Sequence, residues 1–287
     1  MRTRRVYILL LFFIGLFALN SQAQSDAPKA TLTTSDSINT FLSQDLQNSP
    51  LADKMRSEID QYLDKLQIIK TRKKADREFL KTVFFKTHRK FLKHYDASAT
   101  FEEMMETGVY GCLTGTALYS IILSHFGYEH EIVELTSHVY LKVKLDQQII
   151  LLESTLPESG FLENVSEIAR ATEQYEDNSR KLNSVTAIAG IDEEKAEGAY
   201  KRSISLKQLS GLQYHNMAIY NIKEEFLETA FMNAKESIKL YPSKRTELLM
   251  EIVINKILQS KNLTKDLKSG ILNTYVTQVR KKKLTQR

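Results

Sequence analysis

Apolar residues recur every three or four positions over two long stretches of the chain, one between residues 50 and 94 and the other after residue 205. This spacing places them on one face of a helix, so both stretches are predicted to be helical. Ser49 and Pro50 suit the N-cap and first turn of the first helix. After residue 205 the pattern predicts helices over residues 206–223, 225–240, 244–259 and 264–282.

The middle of the chain changes from a helical to a strand pattern at Gly127. Residues 112–123 form an apolar helical run, whereas the segments that follow are rich in β-branched and apolar residues. They predict three strands, over residues 131–135, 138–144 and 149–153. The short turn at residues 146–148 predicts an antiparallel hairpin between the second and third strands. A helix packed on an antiparallel sheet is the α+β fold class.

The N-terminus has the pattern of a secretory signal peptide. Arg2, Arg4 and Arg5 precede an apolar run over residues 6–19, and the small residues before Ala23 predict cleavage after it. The run is shorter than the roughly 20 residues that span a bilayer. We therefore expect a periplasmic or secreted protein with no stable membrane span after cleavage.

The net charge of the chain argues against nucleic acid as a partner. The chain has 40 Lys and Arg against 35 Asp and Glu, and three of the basic residues lie in the predicted signal peptide. The mature charge is therefore 37 − 35 = +2. This balance predicts no nucleic-acid binding. Segment 24–48 is rich in small polar residues and is expected to be flexible. Segment 163–205 is expected to be an acidic linker or insert that begins with a helix.

Cys112 is the only cysteine, so no internal disulfide is expected. It follows Gly111 and begins the predicted helix, where the helix dipole favours a thiolate. A buried apolar role is the alternative for a single thiol. The histidines at positions 125 and 130 match no zinc-binding spacing, so neither a metal nor a cofactor is predicted.

His138 and Glu153 give Cys112 two potential partners. Cysteine hydrolases need a thiolate, an imidazole that shares its proton and a side chain that orients the imidazole. His138 begins the second predicted strand and Glu153 ends the third. A hairpin between those strands brings the two side chains to the same end of the sheet.

These residues and their surroundings resemble the core of the transglutaminase-like superfamily. The likeness covers roughly residues 100–162 and rests on the segments Gly111-Cys112, Gly127-Tyr128, His138-Val139-Tyr140-Leu141 and Leu152-Glu153-Ser154-Thr155. It implies Cys112 as nucleophile, His138 as base and Glu153 as the orienting carboxylate, with the Cys112 amide in an oxyanion hole. Tyr110 and Tyr140 flank these residues and are candidates for a substrate cleft. The superfamily usually has Asp as third member and a tryptophan near the cysteine, whereas this chain has no tryptophan.

A second resemblance covers residues 212–243. The large, small and proline positions are similar to those of a tetratricopeptide repeat, in which small residues let two antiparallel helices pack closely: Tyr214, Met217, Ala218, Ala230, Ala234, Ser237 and Pro242. The whole chain is similar to uncharacterised secreted proteins of Bacteroidetes-type bacteria. The resemblance to a tetratricopeptide repeat implies that the C-terminal helices hold a peptide or protein partner.

The combined prediction is a transglutaminase-like helix-on-sheet domain followed by an all-α helical domain. The expected boundaries are a signal peptide over 1–23, a flexible segment over 24–48, the transglutaminase-like domain over 49–162, the linker over 163–205 and the helical domain over 206–287. The favoured function is a cysteine-dependent amidase or peptidase. The alternatives are an inactive protein that binds a peptide or protein in the cell envelope, and a purely structural envelope protein.

Overall fold

The computed structural model describes residues 33–186 and 200–285. The predicted signal peptide over residues 1–23 lies outside this range. The helices of the described residues are α1 (Thr34–Asn39), α2 (Pro50–Arg72), α3 (Asp76–Phe91), α4 (Phe101–Thr107), α5 (Cys112–His125), α6 (Val165–Thr186), α7 (Leu206–Lys223), α8 (Leu227–Leu240), α9 (Lys244–Gln259) and α10 (Lys265–Thr285). The strands are β1 (His94–Tyr95), β2 (Val109–Tyr110), β3 (His130–Leu135), β4 (Val139–Leu145), β5 (Gln148–Leu152), β6 (Phe161–Leu162) and β7 (Lys201–Ile204).

A five-stranded antiparallel sheet forms the centre of the fold, in the order β6-β5-β4-β3-β7. The predicted strands correspond to β3, β4 and β5, and the hairpin between β4 and β5 is confirmed by the pairing of Leu141 with Leu152. The mixed helical and antiparallel architecture confirms the α+β class. Strand β7 was not predicted, and it lies within the segment that was expected to be a linker. It pairs with β3 through Ile132 and Ile204.

Helices cover both faces of this sheet. α5 is buried along most of its length, and its apolar residues share one core with Ile132 and Leu141. On the opposite face, Tyr175 of α6 packs against Tyr140 and Leu151. The sheet therefore lies between α5 and α6, as expected for strands whose side chains alternate between two apolar layers.

Several helices begin at a serine that caps their first turn. The Ser49 hydroxyl accepts the amide of Ala52 at the start of α2, as the Ser-Pro sequence predicted. Ser205 caps α7, and Ser243 caps α9. These caps satisfy backbone amides that have no partner within the helix.

The terminal segments also contribute to the core. Part of segment 24–48, expected to be flexible, is described, and there Ile38 and Phe41 are at most 2% exposed. Leu212 and Tyr241, from the C-terminal helical region, belong to the same core as α5. A second apolar cluster joins helices α7 to α10. Within the described ranges, no helix is both long and apolar enough to cross a lipid bilayer.

Candidate active site

Cys112 is the first residue of α5 and is half-buried. The Thr114 hydroxyl accepts the amide of Gly111, which fixes the entry to the helix. The carbonyl of Asp96 passes so close to Gly111 that a Cβ there would lie 2.9 Å from its oxygen. Residue 111 must therefore be small, and the thiol of Cys112 is held at a helix N-terminus, where the dipole favours negative charge.

Close packing between α5 and the end of β5 places Cys112 beside Glu153. A Cβ at Gly115 would lie 2.6 Å from the Cβ of Ser154, so only glycine permits this approach. The Ser154 hydroxyl donates to the carbonyl of Cys112 at 3.4 Å. The first turn of α5 is thus attached to the residue that directly follows Glu153.

His138 and Glu153 form the hydrogen-bonded pair that the hairpin predicted. His138 Nε2 and Glu153 Oε2 are 2.7 Å apart. The carboxylate of Glu153 is fully buried, and its other oxygen accepts both the amide of Thr155 at 2.9 Å and its hydroxyl at 2.7 Å. A buried carboxylate needs such partners, and here they also fix its orientation toward His138.

The Cys112 thiol also acts on the His138 side chain, because it is one of the two groups that raise the pKa of the imidazole. Burial alone would lower the pKa of His138. Hydrogen bonds and charge attraction from Cys112 and Glu153 outweigh that effect and raise the pKa to about 10. The imidazole is therefore held in a position and environment that favour its protonated form.

Two tyrosine rings fix the plane of the imidazole from the α6 side. The Tyr140 ring stacks on His138 with centroids 6.2 Å apart, and the Tyr175 ring lies 5.2 Å from it. The preceding residue, Ser137, is attached to α6 because its amide donates to the hydroxyl of Ser179 at 2.9 Å. α6 thus positions His138, although the residues of this helix were not predicted to belong to the site.

His138 lies between two cavities. The smaller has a volume of about 80 Å³ and is lined by Cys112 together with Leu212 and Arg245 from the C-terminal helices. The larger has a volume of about 890 Å³ and is lined by His138 and by one face of α6. Most of the side chains that line the larger cavity are polar: Tyr95, Ser137, His138, Thr155, Ser159, Glu167, Arg170, Gln174, Tyr175, Asn178 and Ser179.

The two tyrosines expected in a cleft have other surroundings. Tyr110 is 4% exposed and Tyr140 is fully buried, and neither lines either cavity. The Tyr110 hydroxyl lies 3.2 Å from Nε2 of His88, which in turn lies 3.2 Å from the carbonyl of Ser154. Both tyrosines therefore lie behind the site and support residues that form it.

Three residues around the site were not predicted from the sequence: Tyr95, Thr155 and Tyr175. Tyr95 lies on a two-residue strand with no sequence signal of its own. Thr155 follows Glu153 by two residues, and this position is the signal that could have identified it as a donor to the carboxylate. Tyr175 lies in the segment expected to be a linker.

The candidate site brings together three side chains, Cys112, His138 and Glu153. The described residues contain no group of three His, Cys, Asp or Glu side chains placed to bind a metal ion. A thiol at a helix N-terminus, with an imidazole that is bonded to a buried carboxylate, can form a nucleophile and transfer a proton to a leaving group. No protein-family model, curated protein or solved structure matches the chain, so the candidate site stands on its own geometry.

Proposed function

We propose that this protein is a transglutaminase-like cysteine hydrolase that cleaves a peptide or another amide through an acyl-enzyme. The observation that supports this most strongly is the position of His138, which lies 2.7 Å from the carboxylate of Glu153 and whose pKa is raised by both Cys112 and Glu153. Each residue of this set thereby has the partner that its role requires.

The reaction follows from these contacts. The Cys112 thiolate attacks the amide carbonyl carbon, and the C=O electron pair moves onto the oxygen. The tetrahedral species then collapses, its C–N bond breaks, and protonated His138 donates its proton to the departing amine. A water molecule, deprotonated by His138, hydrolyses the resulting thioester. Glu153 keeps the imidazole in the required orientation throughout.

Substrate would enter by the cavity of about 890 Å³ beside α6, which His138 and Thr155 line. It would meet the thiol at His138, which also lines the smaller cavity that contains Cys112. The lining of the larger cavity combines many polar side chains with Leu156, Leu162 and Ala171, which suits both the amides and the apolar side chains of a peptide. The signal peptide predicted from the sequence would place this chemistry in the periplasm or outside the cell. The C-terminal helices would hold part of the substrate or a partner, since Leu212 and Arg245 already form one wall of the Cys112 cavity.

The reactivity of the single thiol tests the proposal directly. An ordinary cysteine has a pKa of about 8.5 and is largely protonated at about pH 6. We expect iodoacetamide to alkylate native Cys112 at that pH at least about tenfold faster than the same thiol in the urea-unfolded chain, because a charged imidazole stabilises a thiolate. Intact mass spectrometry measures the rate without ambiguity, since the chain has one cysteine.

His138→Gln should remove this advantage, whereas the matched variant His94→Gln, on an exposed strand residue, should keep it. Alkylation that follows the unfolded chain at every pH and is unchanged by His138→Gln would show that Cys112 and His138 do not act together. The binding-module hypothesis would then be the better description.

A further inference from the structure

Tyr95 is held beside the approach to Cys112 by a short parallel strand pair. β1 pairs with β2 so that Tyr95 lies opposite Tyr110, two residues before the thiol. The amide of Asp96 donates to the carbonyl of Tyr110 at 2.8 Å, which fixes the register. The close passage of Asp96 over Gly111 continues this contact to the residue next to Cys112.

The ring of Tyr95 is supported on one side and open on the other. It packs edge to face on Tyr110, with centroids 5.8 Å apart and an interplanar angle of 82°. Tyr110 is itself buried and bonded to His88. Tyr95 is nevertheless 55% exposed and lines the large cavity together with His138 and Thr155. The ring is therefore positioned from behind while it faces the space where substrate would lie.

The phenol of Tyr95 keeps its proton across the neutral and mildly alkaline range. Burial raises its pKa, and the negative charges of Cys112 and Glu153 raise it further, to about 12. Among the charged neighbours, Cys112 has the largest effect. A phenol close to the nucleophile that remains protonated is able to donate a hydrogen bond to an oxygen that becomes negative.

Other hydroxyl groups beside His138 already have partners. The hydroxyl of Thr155 donates to Glu153, and the hydroxyls of Ser137 and Ser179 bond to each other at 2.9 Å. The amide of Cys112 is available, because the first amides of a helix have no intrahelical acceptor. An oxyanion hole uses preorganised donors of this kind, commonly more than one.

We propose that the Tyr95 hydroxyl and the Cys112 amide together form the oxyanion hole of this site. This inference rests on the proposed function. As Cys112 attacks the carbonyl carbon, the C=O electron pair moves onto oxygen, and that oxygen accepts hydrogen bonds from Tyr95 and from the Cys112 amide. When the leaving group departs, the electron pair re-forms the carbonyl of the thioester. Tyr95 keeps its proton throughout and is a catalytic residue that stabilises charge.

Two reagents separate oxyanion stabilisation from thiol activation. Acylation of Cys112 by p-nitrophenyl acetate passes through a tetrahedral oxyanion, whereas alkylation by iodoacetamide displaces iodide at carbon and forms none. Tyr95→Phe should slow acylation by at least about tenfold, since one oxyanion donor contributes about 10²–10³ in rate. It should leave alkylation unchanged, which also shows that the variant is folded. Tyr220→Phe, an exposed tyrosine on α7, should change neither rate.

The results of these experiments distinguish a failure of the Tyr95 role from a failure of the proposed function. Equal acylation rates for wild type and Tyr95→Phe would overturn the role of Tyr95 and leave the proposed function intact. Equal losses in acylation and alkylation would also overturn it, because Tyr95 would then act on the thiol. Loss of the His138 dependence of alkylation, by contrast, would remove the proposed function itself. A wild-type acylation rate no greater than that of the unfolded thiol would exclude an oxyanion hole.

Discussion

The buried carboxylate of Glu153 orients His138 and, together with Cys112, raises its pKa. Its side chain is one methylene longer than the aspartate usual in the family that the sequence resembles, and it still reaches Nε2 at 2.7 Å. Thr155 holds the opposite oxygen through two hydrogen bonds. The longer side chain therefore does not prevent the contact that the site needs, because its position is fixed from both sides.

Replacing Glu153 by Gln should lower the pKa of His138 from about 10, since the variant removes a buried negative charge while keeping the side chain's shape. An NMR titration of the His138 ring measures this shift. Glu158→Gln, which alters an exposed carboxylate five residues away, is the matched control and should leave the titration unchanged. An unshifted His138 titration in Glu153→Gln would show that the thiol alone sets its charge.

The same histidine should make stability depend on pH. Because its folded pKa is raised above the ordinary 6.5, protonated His138 stabilises the native state fully below about pH 6.5. The contribution is lost as pH rises through about 10. The difference in free energy of unfolding between wild type and His138→Gln should therefore shrink as pH increases from about 6 to about 10. Urea denaturation across this range measures it, and a difference that grows with pH would contradict the assignment.

At the scale of elements, the contact between α5 and the end of β5 places the thiol within reach of His138. It depends on Gly115, where a Cβ would lie 2.6 Å from the Cβ of Ser154 and 2.7 Å from its hydroxyl oxygen. Cores that are already close-packed respond to added volume by shifting backbone or side chains. Any such shift would move the first turn of α5 away from the strand end that carries Glu153.

Gly115→Ala should therefore destabilise the protein by about 1–3 kcal/mol and slow alkylation of Cys112 at about pH 6. Gly270→Ala in α10 is the matched control, because a Cβ there meets nothing within 4 Å. That variant should stabilise the helix by up to about 1 kcal/mol, as alanine does relative to glycine. Urea denaturation and alkylation kinetics measure both effects. A neutral or stabilising Gly115→Ala would show that α5 is free to move.

Local signals explain which elements the sequence predicted. The β4–β5 hairpin has alternating strands and a short turn, so its register and the meeting of His138 with Glu153 were predictable from neighbouring residues. β7 pairs with β3 more than 60 residues away, through contacts such as Ile204 with Ile132, and no local pattern encodes such pairing. Tyr95 was missed for the same reason, because a two-residue strand is defined only by its partner, β2.

At the scale of the molecule, a buried charge cluster on Glu134 connects the sheet to the C-terminal helices. Glu134 on β3 is fully buried. Its carboxylate accepts Arg202 of β7 at 2.8 Å and Arg245 of α9 at 2.9 Å. The hydroxyls of Tyr200 and Tyr241 also donate to it. Glu134 and Arg245 both line the cavity beside Cys112. We therefore expect the stability of the C-terminal helices and the structure of the site to depend on the same cluster.

Glu134→Ala should cost about 3–5 kcal/mol in free energy of unfolding, because two guanidinium groups lose a buried carboxylate. Glu129→Ala, which breaks an exposed pair with Lys144, is the matched control and should cost about 1 kcal/mol or less. Urea unfolding followed by far-ultraviolet circular dichroism reports the helices, and the protection of Cys112 from alkylation reports the site. If the cluster couples the two regions, both probes should shift together in Glu134→Ala. A cost below about 1 kcal/mol, or a helical transition that moves while the thiol stays protected, would show that the C-terminal helices are stabilised independently of the sheet.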